Sequence, residues 1–157
     1  MGVSFAGGFS ATGRQHDLAL GMLRYGRVMT DVVGGDHFYR GNVELGVEAF
    51  AGGQYSPEAA YVTGAAPTAR YDFATGTRWV PFVEVGFGFA STDIKGDDLS
   101  TNYEFKSDAG VGVHYFWREN VSAFFEYEFF HLSNGGFHKP NRGTNINLFS
   151  LGLALFF

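Results

Sequence analysis

A chain of 157 residues is long enough to enclose a core of its own and short enough to suggest one domain, residues 1–157. Its 11 Lys and Arg against 16 Asp and Glu leave a formal net charge of −5 and a pI near 5.4. That balance speaks against nucleic acid as a partner, which needs a basic face. With no cysteine, a disulfide scaffold, a thiolate zinc site and a cysteine nucleophile are all excluded.

Glycine accounts for 23 residues, about twice the usual share of roughly 7%. Aromatic residues make up 18% of the chain, yet charged residues only 17%, and the mean hydropathy is −0.05. No stretch approaches the ~18 consecutive apolar residues of a spanning helix. Apolar surface must therefore be spread in a pattern that averages out. Strands of a transmembrane β-barrel do this, because lipid-facing and lumen-facing residues alternate. Met1-Gly2-Val3-Ser4 runs straight into such alternation without a basic and apolar leader. An exported protein would then be represented here by its mature form, with Met1 an added start residue.

In chain order, the first two strands are expected at about 2–12 and 17–28, followed by a Gly- and Asp-rich connection at about 29–40. In 41–51, Val43, Leu45, Val47 and Ala49 oppose Asn42, Glu44, Gly46 and Glu48. A fourth strand at about 59–73 contains Pro67, which predicts a bulge or irregularity there. In 79–89, Trp79, Val83, Val85, Phe87 and Phe89 oppose Glu84, Gly86 and Gly88. After a connection at about 92–101, residues 103–117 place Tyr103, Phe105, Val111, Val113, Tyr115 and Trp117 opposite Glu104, Lys106, Asp108, Gly110, Gly112 and His114. In 121–131, Val121, Ala123, Phe125, Tyr127 and Phe129 oppose Glu126 and Glu128. The last run, 145–157, sets Phe149, Leu151, Leu153, Leu155 and Phe157 against Ser150, Gly152 and Ala154.

Eight strands at about 20 residues each, connections included, fit the length, and a tilted strand of ~9–11 residues spans a bilayer. The charged face is interspersed with glycine, which suits a tight lumen better than a solvated surface. Aromatics collect towards strand ends, as an interfacial girdle would. The expected fold is all-β: an eight-stranded antiparallel transmembrane barrel of the outer-membrane type. Glu44, Glu48, Glu84, Glu104, Lys106, Asp108, Glu126 and Glu128 then point inwards, with Arg24 and Arg118 as counter-ions. This set reads as a salt-bridged plug in a barrel too narrow to conduct, in preference to a proton or ion pathway.

Polar residues with the parity of the lipid face are the costly exceptions. His131 and Ser133 end the seventh run, and Asn145 and Asn147 begin the eighth. An antiparallel hairpin brings these two pairs side by side. Residues two apart on a strand project the same way, so an imidazole at 131 can take the proton of a hydroxyl at 133. Asn145 has the right face to orient the imidazole through its amide carbonyl. Converging on the lipid face at one end of a barrel, these groups suit an ester that arrives sideways from the membrane.

The run His131-Leu-Ser133-Asn134-Gly-Gly136-Phe-His138-Lys139-Pro-Asn141-Arg142-Gly143 resembles the C-terminal motif of the lipid A 3-O-deacylases of Gram-negative outer membranes, the PagL family. Pro81-Phe-Val-Glu84-Val-Gly86-Phe-Gly88 is similar in a looser way. The resemblance implies an eight-stranded barrel of the cell outer membrane that hydrolyses the ester-linked acyl chain at position 3 of lipid A. It implies Ser133 as nucleophile, His131 as general base, and Asn134 and Gly136 as the oxyanion hole. The family pattern has Glu where this chain has Asn145. A neutral amide cannot offset an imidazolium as a carboxylate does, so the implied triad works but is weakened.

Lipid A carries phosphates beside its acyl chains, so His138, Lys139 and Arg142 are weaker candidates for substrate binding. The expected partners are lipid A or lipopolysaccharide of the outer leaflet and membrane lipid, and a homodimer is left open. No metal and no cofactor is expected, since His16, His37 and His114 lack metal-ligand spacing. Two rivals belong to other classes. A catalytically silent structural or interaction barrel would keep the alternation and lose nothing with Ser133. A soluble ligand-binding barrel would need an apolar lumen.

Overall fold

Alternation this regular leaves each strand with one face for a core and one for an apolar solvent, and closing the sheet removes its edges. The structure, a computed structural model that describes all 157 residues, does this with eight strands. They are β1 (Gly2–Thr12), β2 (Asp17–Val28), β3 (Gly41–Ser56), β4 (Ala60–Phe73), β5 (Trp79–Thr92), β6 (Tyr103–Arg118), β7 (Val121–Ser133) and β8 (Thr144–Leu155). Each pairs antiparallel with the next, and β1 closes on β8 from Gly2↔Ala154 to Thr12↔Asn145. The termini share one rim with the turns 29–40, 74–78 and 119–120. The opposite rim carries 13–16, 57–59, 93–102 and 134–143.

The parity reading holds on both faces. Phe5, Phe87, Phe89 and Leu151 are exposed on the outside, each by 59% or more, while Glu48, Glu84, Glu104, Lys106, Asp108, Glu126 and Glu128 are buried inside. Inward glycines relieve crowding in the narrow lumen: a methyl group on Gly112 would collide with the Phe82 ring.

The interior is layered. Nearer the termini, the Arg24 guanidinium bridges Glu48 at 2.6 Å, Glu84 at 2.7 Å and Glu126 at 3.0 Å. Arg70 Nε reaches Glu84 at 2.8 Å, and Lys106 joins Glu48 at 3.2 Å and also Asp108. Nearer the far rim lies a dry cluster that includes Leu18, Leu20, Phe50, Phe130, Leu132, Ile146 and Leu148. The 93–102 connection folds into this mouth and adds Ile94 and Leu99 to the cluster. A barrel of eight strands is just wide enough for side chains to fill, and here an ionic layer and an apolar cluster lie one above the other, with Phe82 and Phe124 towards the termini and Glu104 and the His16–Asp98 pair towards the far rim.

Three expectations need correcting. Arg118 is not an interior counter-ion: the register shifts between Phe116 and Arg118 at the rim, and the side chain is exposed. Arg70, absent from the expected set, does that work with Arg24. Pro67 gives the expected irregularity, a gap in pairing, but no bulge. It pairs in register with Val47, and the β4–β5 pairing resumes at Thr68↔Gly86 without a shift after a gap at 66–67. A proline can sit there because only its missing N–H is lost to the ladder. Finally, β3 runs to Ser56 and β5 to Thr92, beyond the hydrophobic runs that signal them, because neighbouring strands continue to pair there. Glu44 is only half-buried, at the mouth near the termini.

Candidate active site

The β7–β8 hairpin sets His131 directly across from Asn145, and Phe129 across from Asn147. On the other side of β7, Ser133 faces Phe105 and His131 faces Ser107. His131, Ser133, Asn145 and Asn147 are all half-buried on the outward face, one to three residues from the rim opposite the termini. The expected convergence is therefore present: His131 Nδ1 and Asn145 Oδ1 lie 2.7 Å apart. Since the amide oxygen can only accept, Nδ1 carries the proton and Nε2 keeps its lone pair. One rung deeper, Tyr127 donates from its hydroxyl to Asn147 Oδ1 at 2.7 Å.

Gly143, with φ +74°, closes over the imidazole. A methyl group there would stand 2.7 Å from His131 Cε1, so only glycine leaves room for the ring and tolerates the backbone. No hydrogen bond within 3.5 Å joins Ser133 to His131 in this state. Contacts of this kind often tighten only when substrate is bound.

Asn134 is buried and organises the turn that follows. Its Nδ2 donates to Ser100 Oγ at 3.3 Å and to the His138 carbonyl at 3.1 Å. Its Oδ1 accepts the Gly136 N–H at 2.9 Å, and its own N–H donates to Asn141 Oδ1 at 3.2 Å. Both N–H groups assigned to an oxyanion hole are thus held by neutral amide oxygens. Gly135 and Gly136, at φ +66° and +83°, make the turn that the Asn134 side chain seals.

Sequence reasoning missed the supports of this hairpin. The 93–102 connection accepts the Arg142 N–H at Asp97 O and the Gly143 N–H at Asp98 O, at 3.3 and 3.0 Å. Asp98 also meets buried His16, which contacts Gln54 on its other ring nitrogen. Thr12 takes a hydrogen bond from Asn145 Nδ2 at 3.0 Å. No spacing in the sequence links residues 12, 98 and 145; only barrel closure does. His138, Lys139 and Arg142 are exposed on the hairpin loop, and none is in an ion pair. His114 is buried in the lumen between Arg70 and Ser122, away from this face.

The pattern of a polar cluster on the membrane face of a small barrel has a counterpart among known families. The profile of the lipid A 3-O-deacylase (PagL) family matches residues 21–154, most of the chain. The chain belongs to that family. It is accordingly an outer-membrane enzyme, an ester hydrolase of the lipid A 3-O-deacylase type. No curated protein sequence matches it. Its fold is similar to the crystal structure of the outer membrane enzyme PagL, with 24% identity and a TM-score of 0.74 over 100% of both chains. It is also similar to Neisserial surface protein A (NspA), with 16% identity and a TM-score of 0.63 over 99% of this chain and 94% of that one. PagL-family membership therefore accounts for the barrel and its ester chemistry.

Proposed function

We propose that this protein removes the ester-linked acyl chain at position 3 of lipid A, with Ser133 as nucleophile and His131 as general base. The observation that carries this reading is the 2.7 Å contact between His131 Nδ1 and Asn145 Oδ1, on the lipid-facing side and two residues from Ser133. It leaves Nε2 as the proton acceptor on an imidazole that shares the outward face of β7 with the Ser133 hydroxyl.

In the reaction, Ser133 Oγ attacks the acyl carbonyl while His131 Nε2 takes the hydroxyl proton. The imidazolium then returns this proton to the departing sugar oxygen, leaving an acyl-serine. Water adds to that ester with His131 again as base, and the fatty acid leaves as Ser133 recovers its proton. Asn145 keeps the proton on Nδ1 throughout. The developing oxyanion draws on the N–H groups of Asn134 and Gly136. An alkoxide oxygen is a stronger acceptor than the neutral amide oxygens of Asn141 and Asn134 that hold these donors at rest, so it displaces them. Exposed Lys139 and Arg142, with His138, favour docking of the lipid A phosphates. All three members of the triad come from one hairpin, so the chemistry needs no second copy of the chain.

The test is fatty-acid release from purified lipopolysaccharide in detergent, read by mass spectrometry. Loss of one 3-O-linked acyl chain that stops with Ser133→Ala supports the reading. Release that persists in Ser133→Ala overturns Ser133 as the nucleophile, and no release from the native chain overturns the reading in favour of a catalytically silent barrel.

A further inference from the structure

On β1 the outward residues are odd-numbered: Val3, Phe5 and Phe9 are exposed, whereas Ala6 and Gly8 are buried. By that parity Thr12 belongs in the lumen. It is exposed instead, because the β1–β8 register shifts by one residue between Ser10↔Ile146 and Thr12↔Asn145. Ala11 is the extra residue of this bulge, and such a bulge re-aims the side chain that follows it. The turn beyond is fixed by Ser10, whose hydroxyl donates to the Arg14 carbonyl and accepts the His16 N–H, both at 2.7 Å. Without the bulge, Ala11 would stand opposite Asn145 and offer it nothing.

We propose that Thr12 is a positioning residue that holds the Asn145 amide with its oxygen towards His131. This rests on the reading of His131 as general base. A carboxylate presents two equivalent acceptors, so it has no wrong way round. An amide has two unlike ends. With Oδ1 towards the imidazole, Nδ1 carries the proton and Nε2 is a base. With Nδ2 there, Nδ1 must accept, the proton moves to Nε2, and the ring cannot take a proton from Ser133. Thr12 Oγ1 is the one hydrogen-bond partner of Asn145 Nδ2. A hydroxyl can also donate, so the preference rests on the threonine proton staying with solvent at the exposed rim while Oγ1 accepts from Nδ2. The arrangement Thr12–Asn145–His131 thus supplies by geometry part of what the amide lacks in charge.

Two measurements test this. In the native chain, Thr12→Val should lower kcat for fatty-acid release about fivefold, the loss expected for one hydrogen bond, with KM unchanged, and Thr12→Ser should restore it. In Asn145→Glu, where either oxygen serves, Thr12→Val should cost less than twofold. Equal losses in the two backgrounds would show a structural role, and no loss in the native chain would show no role; either result overturns the proposal. The second readout does not depend on turnover. In Ser133→Ala labelled with 15N-histidine, NMR of His131 should report the Nδ1-protonated tautomer, and Thr12→Val should shift the population towards Nε2-protonated. An unmoved tautomer overturns the proposal. A shifted tautomer in a chain that releases no fatty acid supports it and removes only the esterase reading.

Discussion

At the scale of single residues, the proposed mechanism turns on an amide, Asn145, at the position where the resemblance implies a carboxylate. Asn145 meets His131 at 2.7 Å, and on the proposed reading it orients the ring but adds no negative charge to stabilise an imidazolium. Asn145→Glu should therefore raise kcat by about tenfold or more, a fraction of what a triad loses when its carboxylate becomes an amide. Fatty-acid release measured under saturating substrate would check it, and an unchanged or lower rate would show that the site is built around the amide. Gly143 is the second sensitive position. Gly143→Ala places a methyl 2.7 Å from His131 Cε1 on a backbone at φ +74°, so activity should fall at least about tenfold through the tilted ring. The barrel itself lies outside that contact, so the heat-modifiable migration of the folded form on gels should be retained.

At the scale of elements, the decisive unit is the pair of connections on one rim. The 134–143 loop is held through Asn134, with bonds to Ser100 and His138, and through Arg142 and Gly143, with bonds to Asp97 and Asp98. The 93–102 loop is anchored in turn by Ile94 and Leu99, which are buried in the apolar cluster. Placement of the site thus depends on a loop that supplies no reacting group. Asn134→Ala should destabilise the turn by about 1–3 kcal/mol, the cost of leaving buried donors and acceptors unpaired. The expected readout is a drop in activity together with faster proteolysis within 134–143, while strand content by circular dichroism stays constant. Activity that survives unchanged would mean the turn keeps its shape without the side-chain seal.

At the scale of the whole molecule, the layered interior separates two tasks. The ionic layer cross-links β2, β3, β4, β5, β6 and β7 from within, through Arg24, Arg70 and Lys106. Removing Arg24 leaves buried Glu126 with no cation and Glu48 and Glu84 with one each, Lys106 and Arg70. Arg24→Met should therefore cost about 3–5 kcal/mol, measured by urea unfolding in detergent micelles. The apolar cluster fills the lumen between the ionic layer and the far rim, so the barrel should give no conductance steps in a planar bilayer. Steady single-channel events would overturn the description of the interior as a plug.

How much of this was legible beforehand follows from the range over which each signal acts. Period-two alternation is local, so residues such as Val111 and Glu126 announce their faces without reference to any other strand. Hairpin geometry is nearly local, which is why His131, Ser133 and Asn145 could be placed together from the β7–β8 run alone. The apolar cluster of the lumen is not legible locally: just after Leu18 both faces of β2 are apolar or small, and beside Leu132 and Ile146 the outward face carries His131, Ser133, Asn145 and Asn147, so parity cannot say which face is core. Arg118 departs from its parity because a register shift at a strand end breaks the count on which parity depends. Thr12 shows the limit most clearly: its parity points inwards, and one bulged residue on the strand that closes the barrel turns it onto Asn145. The sequence by itself determined the number of strands, their faces and the family's chemical motif, since each is written in spacings of a few residues. Only the tertiary structure decided which rim loop supports the site and which residue steadies its amide, because closure joins positions 12 and 145 that are far apart in the chain.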